Sequence, residues 1–557
     1  MAAKQANRRI RLLLVLFVFL FGATLARAVW LQGVEASSLG ARASGQQHGT
    51  IQIPAGRGTI YDRIGFPLAI GERARTVSAN PREVADPRAV SIAAAQTLGV
   101  NPNKLYAQLV DKSKGFVYVA RQVDPAKALA LEKRGLAGLH FEDEERRAYP
   151  QGPVAAQVLG FAGIDNTGIA GIEKEYDRNL AGKPGLETIV KDPAGRALDV
   201  LSSRPAREGA DVYLTLDHSM QAYAEQVLRQ TVQHWHASGA TAIVLDPHTG
   251  AIYTLASTPG FDPNRFWKAS LAAQRNRSVT DQYEPGSTFK LVTVAGVLSE
   301  GVVTPSTTFR LPYSIHIADR VVHDAERRAT ETMSVAEILS RSSNVGAITL
   351  ARKLGPERLD AWIRRFGFGK ATGIDFPGEI DGQVLPLERW SGSTIGNVPI
   401  GQGIAVTPVQ MASAYAAIAN GGVWRQPHLV ERISGRRAPK VRSRRIVTRA
   451  VSEQLRAMLA SVVLEGTGTF AKIPGYTVAG KTGTAQKPDG HGGYGGGYVS
   501  SFVGYVPAIN PKLVVLVMVD NPHGVIWGGV VAAPAFRDIA KFDLQYLEIP
   551  PDAPQTK

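Results

Sequence analysis

The sequence predicts an α+β protein in which an antiparallel sheet flanked by helices follows a mainly extended module and one N-terminal transmembrane helix. Three features carry that reading. An uncharged apolar run begins at residue 12. Residues 34–207 are rich in Gly, Pro, Arg and Ala, with short apolar runs and no long helical period. From residue 211 onward, strand patterns open and close a helical middle.

Lys4, Arg8, Arg9 and Arg11 precede LLLVLFVFLFGATLA at residues 12–26, and after Arg27 the apolar character resumes with Ala28, Val29, Trp30 and Leu31. Residues 12–31 are about the 20 needed to cross the hydrocarbon core. Arg27 lies near the outer end, where it can snorkel, and Trp30 suits the interface. The basic residues place 1–11 in the cytoplasm and the rest outside. Ala26-Arg27-Ala28 also fits the A-x-A pattern of a cleaved signal peptide. A retained anchor is the expectation, and both readings export the remainder of the chain.

At 557 residues the chain is too long for one core. A net charge of +15 fits nucleic acid, an anionic membrane surface or an anionic wall polymer, and export removes the first. The absence of cysteine excludes thiol nucleophiles, cysteine-ligated zinc and disulfides.

Ser202-Ser203-Arg204-Pro205 reads as a linker. The expected divisions are a tail 1–11, an anchor 12–31, an extended module 32–205, a main domain 206–549 and a disordered tail 550–557. Residues 212–216 read as a strand, with Asp217 capping a helix over about 219–234. Residues 241–245 and 251–256 form a hairpin signal around Asp246-Pro-His-Thr-Gly250. Residues 477–479, 502–506 and 513–519 return as strands. The glycine-rich stretch 489–498 and the basic stretch 435–445, GRRAPKVRSRR, read as loops. The basic one is a solvated face or a contact for anionic wall or lipid.

Ser287-Thr-Phe-Lys290 opens a helical apolar pattern after Pro285 and Gly286. Residues three apart share a helix face, so Lys290 Nζ can reach Ser287 Oγ. A partly desolvated lysine can lose its proton and act as base for a hydroxyl. Alone, the tetrapeptide fits an ordinary buried helix. Ser342-Ser343-Asn344 follows a possible capping box, Ser334-Val-Ala-Glu337. A spacing of two suits a turn that aims both side chains inward, although in isolation a Ser/Asn capping cluster is preferred. Lys481-Thr482-Gly483-Thr484 follows the strand-like residues 476–479. At a strand edge Gly483 would admit a peptide backbone, Lys481 would add positive charge, and the threonines would offer hydroxyls to a terminal carboxylate.

Residues 475–482, GYTVAGKT, also match the phosphate-loop pattern G-x-x-x-x-G-K-[ST], with LVVLVMVD at 513–520 as a companion strand. The context contradicts it. A phosphate loop opens a helix, whereas the glycine-rich GTAQKPDGHGGYGGG after the lysine and threonine cannot be helical.

In this order, S-x-x-K, S-x-N and K-T-G make the chain resemble the serine acyltransferases that react with penicillin. Arg57-Gly-Thr-Ile-Tyr-Asp-Arg63 looks like the R-G-x-I-x-D-R box of class B penicillin-binding proteins. Gly168-Ile-Ala-Gly-Ile-Glu-Lys-Glu-Tyr176 resembles their second box, and Tyr283-Glu-Pro-Gly-Ser287 and Gly401-Gln-Gly403 with Thr407-Pro408 match their transpeptidase domain. The likeness covers nearly the whole chain. It implies a penicillin-binding/serine β-lactamase-like domain at 206–549 on a pedestal, or dimerisation-like, domain at 32–205. There Arg57, Gly58, Asp62, Arg63, Gly168 and Glu173 would build turns and ion pairs.

The resemblance also implies roles. Ser287 would be the nucleophile and Lys290 its base. Ser342 would relay a proton to the leaving D-alanine amine, and Asn344 would position the donor peptide. Backbone N–H groups of Ser287 and Thr484 would form the oxyanion hole, while Lys481, Thr482 and Thr484 would hold the D-alanine carboxylate. Neither a metal nor a cofactor is expected. The implied activity is peptidoglycan D,D-transpeptidation, with stem peptides as donor and acceptor and β-lactams as covalent inhibitors.

Length, short linkers and the lack of a C-terminal repeat module resemble the division-specific, FtsI-type branch more than the elongation branch. That branch implies septal wall synthesis in the bacterial inner membrane beside a membrane glycosyltransferase and other division proteins. Two other readings stay open. The acyl group could pass to water, as in a carboxypeptidase, β-lactamase or β-lactam sensor, or the chain could be a non-catalytic scaffold. The large N-terminal module argues against a compact β-lactamase, and the intact motifs argue against a scaffold.

Overall fold

The computed structural model describes residues 2–38, 48–191, 197–489 and 493–553, in two compact units. The first is Met1–Gly56 with Gly182–Glu208. Its helix, Ala2–Gly33, starts earlier than the expected 12–31, because Ala2, Ala3, Lys4, Gln5 and Ala6 include strong helix formers. The apolar window has mean hydropathy 2.4, and none of it is buried in protein. In this unit Gly185–Lys191 pairs antiparallel with both His48–Ile53 and Ala197–Arg204. The linker expected at 202–205 is thereby corrected, since Ser202, Ser203 and Arg204 pair with Thr188, Glu187 and Leu186. A solvated edge strand tolerates the polar residues that read as a loop.

The second unit is Arg57–Ala181 with Gly209–Lys557. Backbone and charge explain this. Val212–Leu214 runs parallel to Ile60–Tyr61. The Arg57 guanidinium pairs with Glu173 at 2.7 Å and Asp177 at 2.8 Å, and Glu173 also takes Arg147 at 2.6 Å. One buried carboxylate thus joins the two N-terminal sequence boxes. Gly58 and Gly168 lie where a Cβ would collide with Ala210 O and Glu173 O. Asp62 accepts from Ile64 N and Phe66 N and stands 2.6 Å from His218 Nδ1. Arg63 pairs with Asp217, the N-cap of the helix His218–Trp235.

Residues 34–207 are more helical than expected. Pro87–Leu98, Pro102–Val110 and Pro125–Glu132 each start at an Asp or Asn cap followed by Pro at the first helical position. That is a helix-start signal which a composition rich in Pro conceals.

The main sheet has five antiparallel strands in the order Ile252–Thr258, Gly239–Leu245, Leu513–Asp520, Tyr494–Val506 and Ala479–Pro488. The expected hairpin and the Asp217 cap are both present. Residues of Leu513–Asp520 alternate between two cores. Val515, Val517 and Val519 pack with His218–Trp235 and Ala533–Tyr546, whereas Val514, Leu516 and Met518 join the core of Lys290–Ser299 and Pro408–Ala419.

Two strands are longer than expected. The one placed at 477–479 runs Ala479–Pro488, and the glycine-rich loop becomes the start of Tyr494–Val506, with 490–492 outside the described residues. The cross-strand ladder, absent from any local signal, overrides weak glycine propensity here. Of the tail expected to be disordered, Asp552 is pinned by Thr477 N at 2.7 Å, and 554–557 lie outside the described residues.

Replacing Glu173 by Ala leaves the buried Arg57 and Arg147 without their shared carboxylate. Urea unfolding should show a loss of ~3–5 kcal/mol, against less than ~1 kcal/mol for Glu453→Ala, which removes the exposed Arg449 partner. Equal, small losses would contradict the role given to Glu173.

Candidate active site

Ser287 sits in a single 3-10 turn, Gly286–Phe289, that passes into the helix Lys290–Ser299. Positions three apart eclipse in such a turn, so the S-x-x-K spacing stacks its two polar residues. Gly286 has φ +55, and a Cβ there would stand 2.7 Å from Thr484 O. Gly483 is just as constrained, for its Cβ would meet Ser501 Oγ at 2.4 Å and Pro285 O at 2.9 Å. Glycine at 483 is therefore required for the edge strand Ala479–Pro488 to pack on the turn that carries Ser287, whatever peptide approaches that strand.

Ser342-Ser343-Asn344 forms the expected turn, between the helices Val335–Ser340 and Asn344–Leu354, and the capping box Ser334–Glu337 is present. Ser342 is held at φ 60, a strained setting for a serine. The residue that holds this turn was not legible in the sequence. Asp324 accepts from Asn344 N at 2.6 Å, Val345 N at 3.0 Å and Ser343 Oγ, and is itself paired with Arg328 at 2.5 Å. It lies in the charged run 323–328, which reads as a solvated surface. Only the tertiary fold carries it to the turn.

Lys290 and Lys481 are both fully buried. Lys290 Nζ donates to Ser342 O at 2.5 Å, Asn344 Oδ1 at 2.7 Å and Ser342 Oγ at 3.2 Å. The expected hydrogen bond from Lys290 to Ser287 is absent from this resting arrangement, because better acceptors on the turn claim the ammonium. Lys481 Nζ reaches the same Ser342 Oγ at 2.9 Å, with Thr482 O and Oγ1 each at 3.2 Å. Burial brings Lys290 down to about 7, opposed by the Asp324 charge. Burial, and then repulsion from Lys290, pushes Lys481 well below its ordinary range. The desolvation expected for Lys290 is thus the leading cause, and the repulsion between the two amines falls on Lys481.

Asn344 has Oδ1 on Lys290 and Nδ2 on His323 O, so its first task is to hold the lysine. Thr482 Oγ1 shares a hydrogen bond with Thr467 at 2.8 Å, and Thr484 Oγ1 accepts from Gly528 N. Ser287, Ser342, Asn344, Thr482 and Thr484 line one open cavity of about 620 Å³, to which Phe470 and Trp527 add exposed aromatic rings. Sequence reasoning missed Phe470, Trp527 and Thr467, which carry no motif. The phosphate-loop match fails on geometry. Lys481 lies inside a strand, and that strand leads into the neighbouring one rather than a helix.

This arrangement sets the Ser342 hydroxyl against two buried amines at the wall of the cavity that Ser287 lines. The profile described as "Penicillin binding protein transpeptidase domain" matches residues 240–541, more than half the chain, and "Penicillin-binding Protein dimerisation domain" matches 52–214. The chain belongs to the class B penicillin-binding proteins.

Among its relatives, the peptidoglycan D,D-transpeptidase FtsI of Escherichia coli is 34% identical over 97% of this chain and 91% of its own. A solved peptidoglycan synthetase from Bifidobacterium adolescentis is 28% identical, with TM-score 0.74 over 92% of this chain and 99% of that one. Penicillin binding protein 3 of Mycobacterium tuberculosis, solved in complex with aztreonam, is 30% identical, with TM-score 0.70 over 91% and 99%.

In this class B penicillin-binding protein, a Lys290 amine that still carries its proton cannot take another. Acylation by penicillin should therefore rise with pH through about 7 and level off above it. Lys290→Arg should slow stopped-flow acylation by at least ~10²-fold, since a guanidinium does not deprotonate usefully. A pH-independent wild-type rate would count against the lysine as base. Asp324→Ala removes the acceptor for two turn N–H groups and should slow acylation by about tenfold or more, equivalent to ~1–3 kcal/mol. An unchanged rate would mean the turn holds without it.

Proposed function

We propose that this protein is a peptidoglycan D,D-transpeptidase that cross-links stem peptides through a Ser287 acyl-enzyme. The observation that carries the reading is Ser342 Oγ, within hydrogen-bond distance of two buried lysines at the wall of the cavity that holds Ser287. Ser287 Oγ attacks the carbonyl of the penultimate D-alanine, and its proton passes to neutral Lys290. The backbone N–H groups of Ser287 and Thr484 take the oxyanion. The C–N bond to the terminal D-alanine then breaks, and its amine gains a proton through Ser342. An amine of a neighbouring stem attacks the remaining ester, forms the new amide and returns the proton to Ser287. The D-alanine carboxylate docks on Lys481, Thr482 and Thr484, and its charge favours protonation of Lys481. A β-lactam enters as the donor does and stays as the ester.

The chemistry falls within residues 206–549, and 32–205 serve as pedestal. The apolar helix Ala2–Gly33 anchors the chain once in the inner membrane, N-terminus inside and bulk outside. The full-length likeness to the E. coli relative supports a septal role over elongation, with a membrane glycosyltransferase and other division proteins as partners.

Given glycan strands bearing stem pentapeptides, the purified protein should release one D-alanine per cross-linked dimer by mass spectrometry. Release that leaves only uncross-linked tetrapeptides would replace transpeptidase by carboxypeptidase. A fluorescent fusion should collect at the division site and keep its original N-terminus. Even lateral distribution would favour the elongation branch, and a mature chain starting at Val29 would mean cleavage.

A further inference from the structure

The basic stretch 435–445, which the transpeptidase reading does not use, contributes to an open cavity of about 650 Å³ that shares no lining residue with the catalytic cleft. Arg364, Lys370, Arg442 and Arg444 line it, together with Ser413 and Trp424. They come from the helix Pro356–Phe366 and the segment after it, the helix Pro408–Ala419, the strand Val423–Arg425, and the residues at and just before Ser443–Arg445.

The charges there are not balanced. Among the described residues, only Arg364 of these four cations has a carboxylate partner, Asp360 at 3.0 Å. Arg442 bonds neutral acceptors, Gln426 Oε1 at 2.9 Å and Thr372 O at 3.3 Å, and Arg444 bonds Arg365 O. The Lys370 ammonium has neither a hydrogen bond nor an ion pair among the described residues. Glu379 and Asp381, which accept the backbone N–H groups of Ala371, Thr372 and Gly373 beside the cavity, form no ion pair with these cations. Burial, and then the like charge of Arg365, lowers the Arg444 guanidinium. That guanidinium is held 5.0 Å over the Trp424 ring.

A second observation is independent of charge. Ser413 lines the same cavity, and its buried Oγ has no hydrogen-bond partner among the described residues. A buried hydroxyl without a partner is costly unless something supplies one.

We propose that this cavity binds a phosphate ester. Three cations without a carboxylate partner among the described residues, Lys370 from one segment and Arg442 and Arg444 from another, line it together with Ser413. A planar carboxylate satisfies one guanidinium fork, whereas a tetrahedral phosphate accepts from several directions at once and carries more charge. The ester comes either from a soluble molecule or from a lipid headgroup, since an exported, anchored chain meets both.

The test uses full-length protein in non-ionic detergent at constant ionic strength set with chloride. Inorganic phosphate, glycerol 3-phosphate, monomeric dihexanoyl phosphatidic acid and acetate are titrated against the melting temperature. The midpoint should rise with each phosphate compound. Lys370→Gln and the double variant Arg442→Gln/Arg444→Gln should weaken phosphate binding about tenfold or more and leave penicillin acylation unchanged. Equal response to glycerol 3-phosphate and the lipid marks a free phosphate ester, and a tighter lipid marks the membrane; either supports the site. If the double variant fails to acylate, Lys370→Gln decides, because its side chain holds nothing in the fold. A response no larger than that to chloride, an equal response to acetate, or phosphate binding unchanged by Lys370→Gln would overturn the proposal.

Discussion

The hydroxyl of Ser342 lies between two lysine amines that are both out of contact with water. Two ammonium ions cannot share so small a dry space at ordinary lysine pKa values, because desolvation and mutual repulsion oppose the second proton. Burial lowers the proton affinity of both amines, and the proposed chemistry depends on that. In the proposed mechanism one amine takes the proton of Ser287. The other, in the same proposal, gains its charge when the carboxylate of the donor peptide arrives.

Holding two lysines that close requires a rigid frame, and each part has a physical reason. Asp324 fixes the turn that carries Ser342 and Asn344 by filling the N–H groups at the start of the following helix. Lys481 is rigid because its strand belongs to a sheet whose central strands are buried on both faces. The missing side chain of Gly483 lets that strand close on the turn bearing Ser287. Farther away, Asp62 beside His218 and the Arg63–Asp217 pair join the stretch that begins at Arg57 to the helix His218–Trp235 of the same unit.

Much of the site was legible because its chemistry is local in sequence. S-x-x-K, S-x-N and K-T-G each place a polar pair within one turn or strand, and their order carried the resemblance to the family. The Asp217 cap and the Ser334–Glu337 capping box were legible for the same reason. What escaped depends on partners distant in the chain. Asp324 reads as one more surface charge until the fold brings it to the turn. The glycine-rich start of Tyr494–Val506 reads as a loop until its neighbour supplies the ladder. Ser202 to Arg204 reads as a linker until Gly185–Lys191 pairs with it. The expected contact from Lys290 to Ser287 gave way to the acceptors on the Ser342 turn, which local spacing could not weigh.

Peptide mapping of the protein after reaction with a penicillin tests the central claim most directly. The account requires a single acyl adduct per chain, located on Ser287 and absent from Ser287→Ala. An adduct on another residue, or one that persists in the alanine variant, would contradict it.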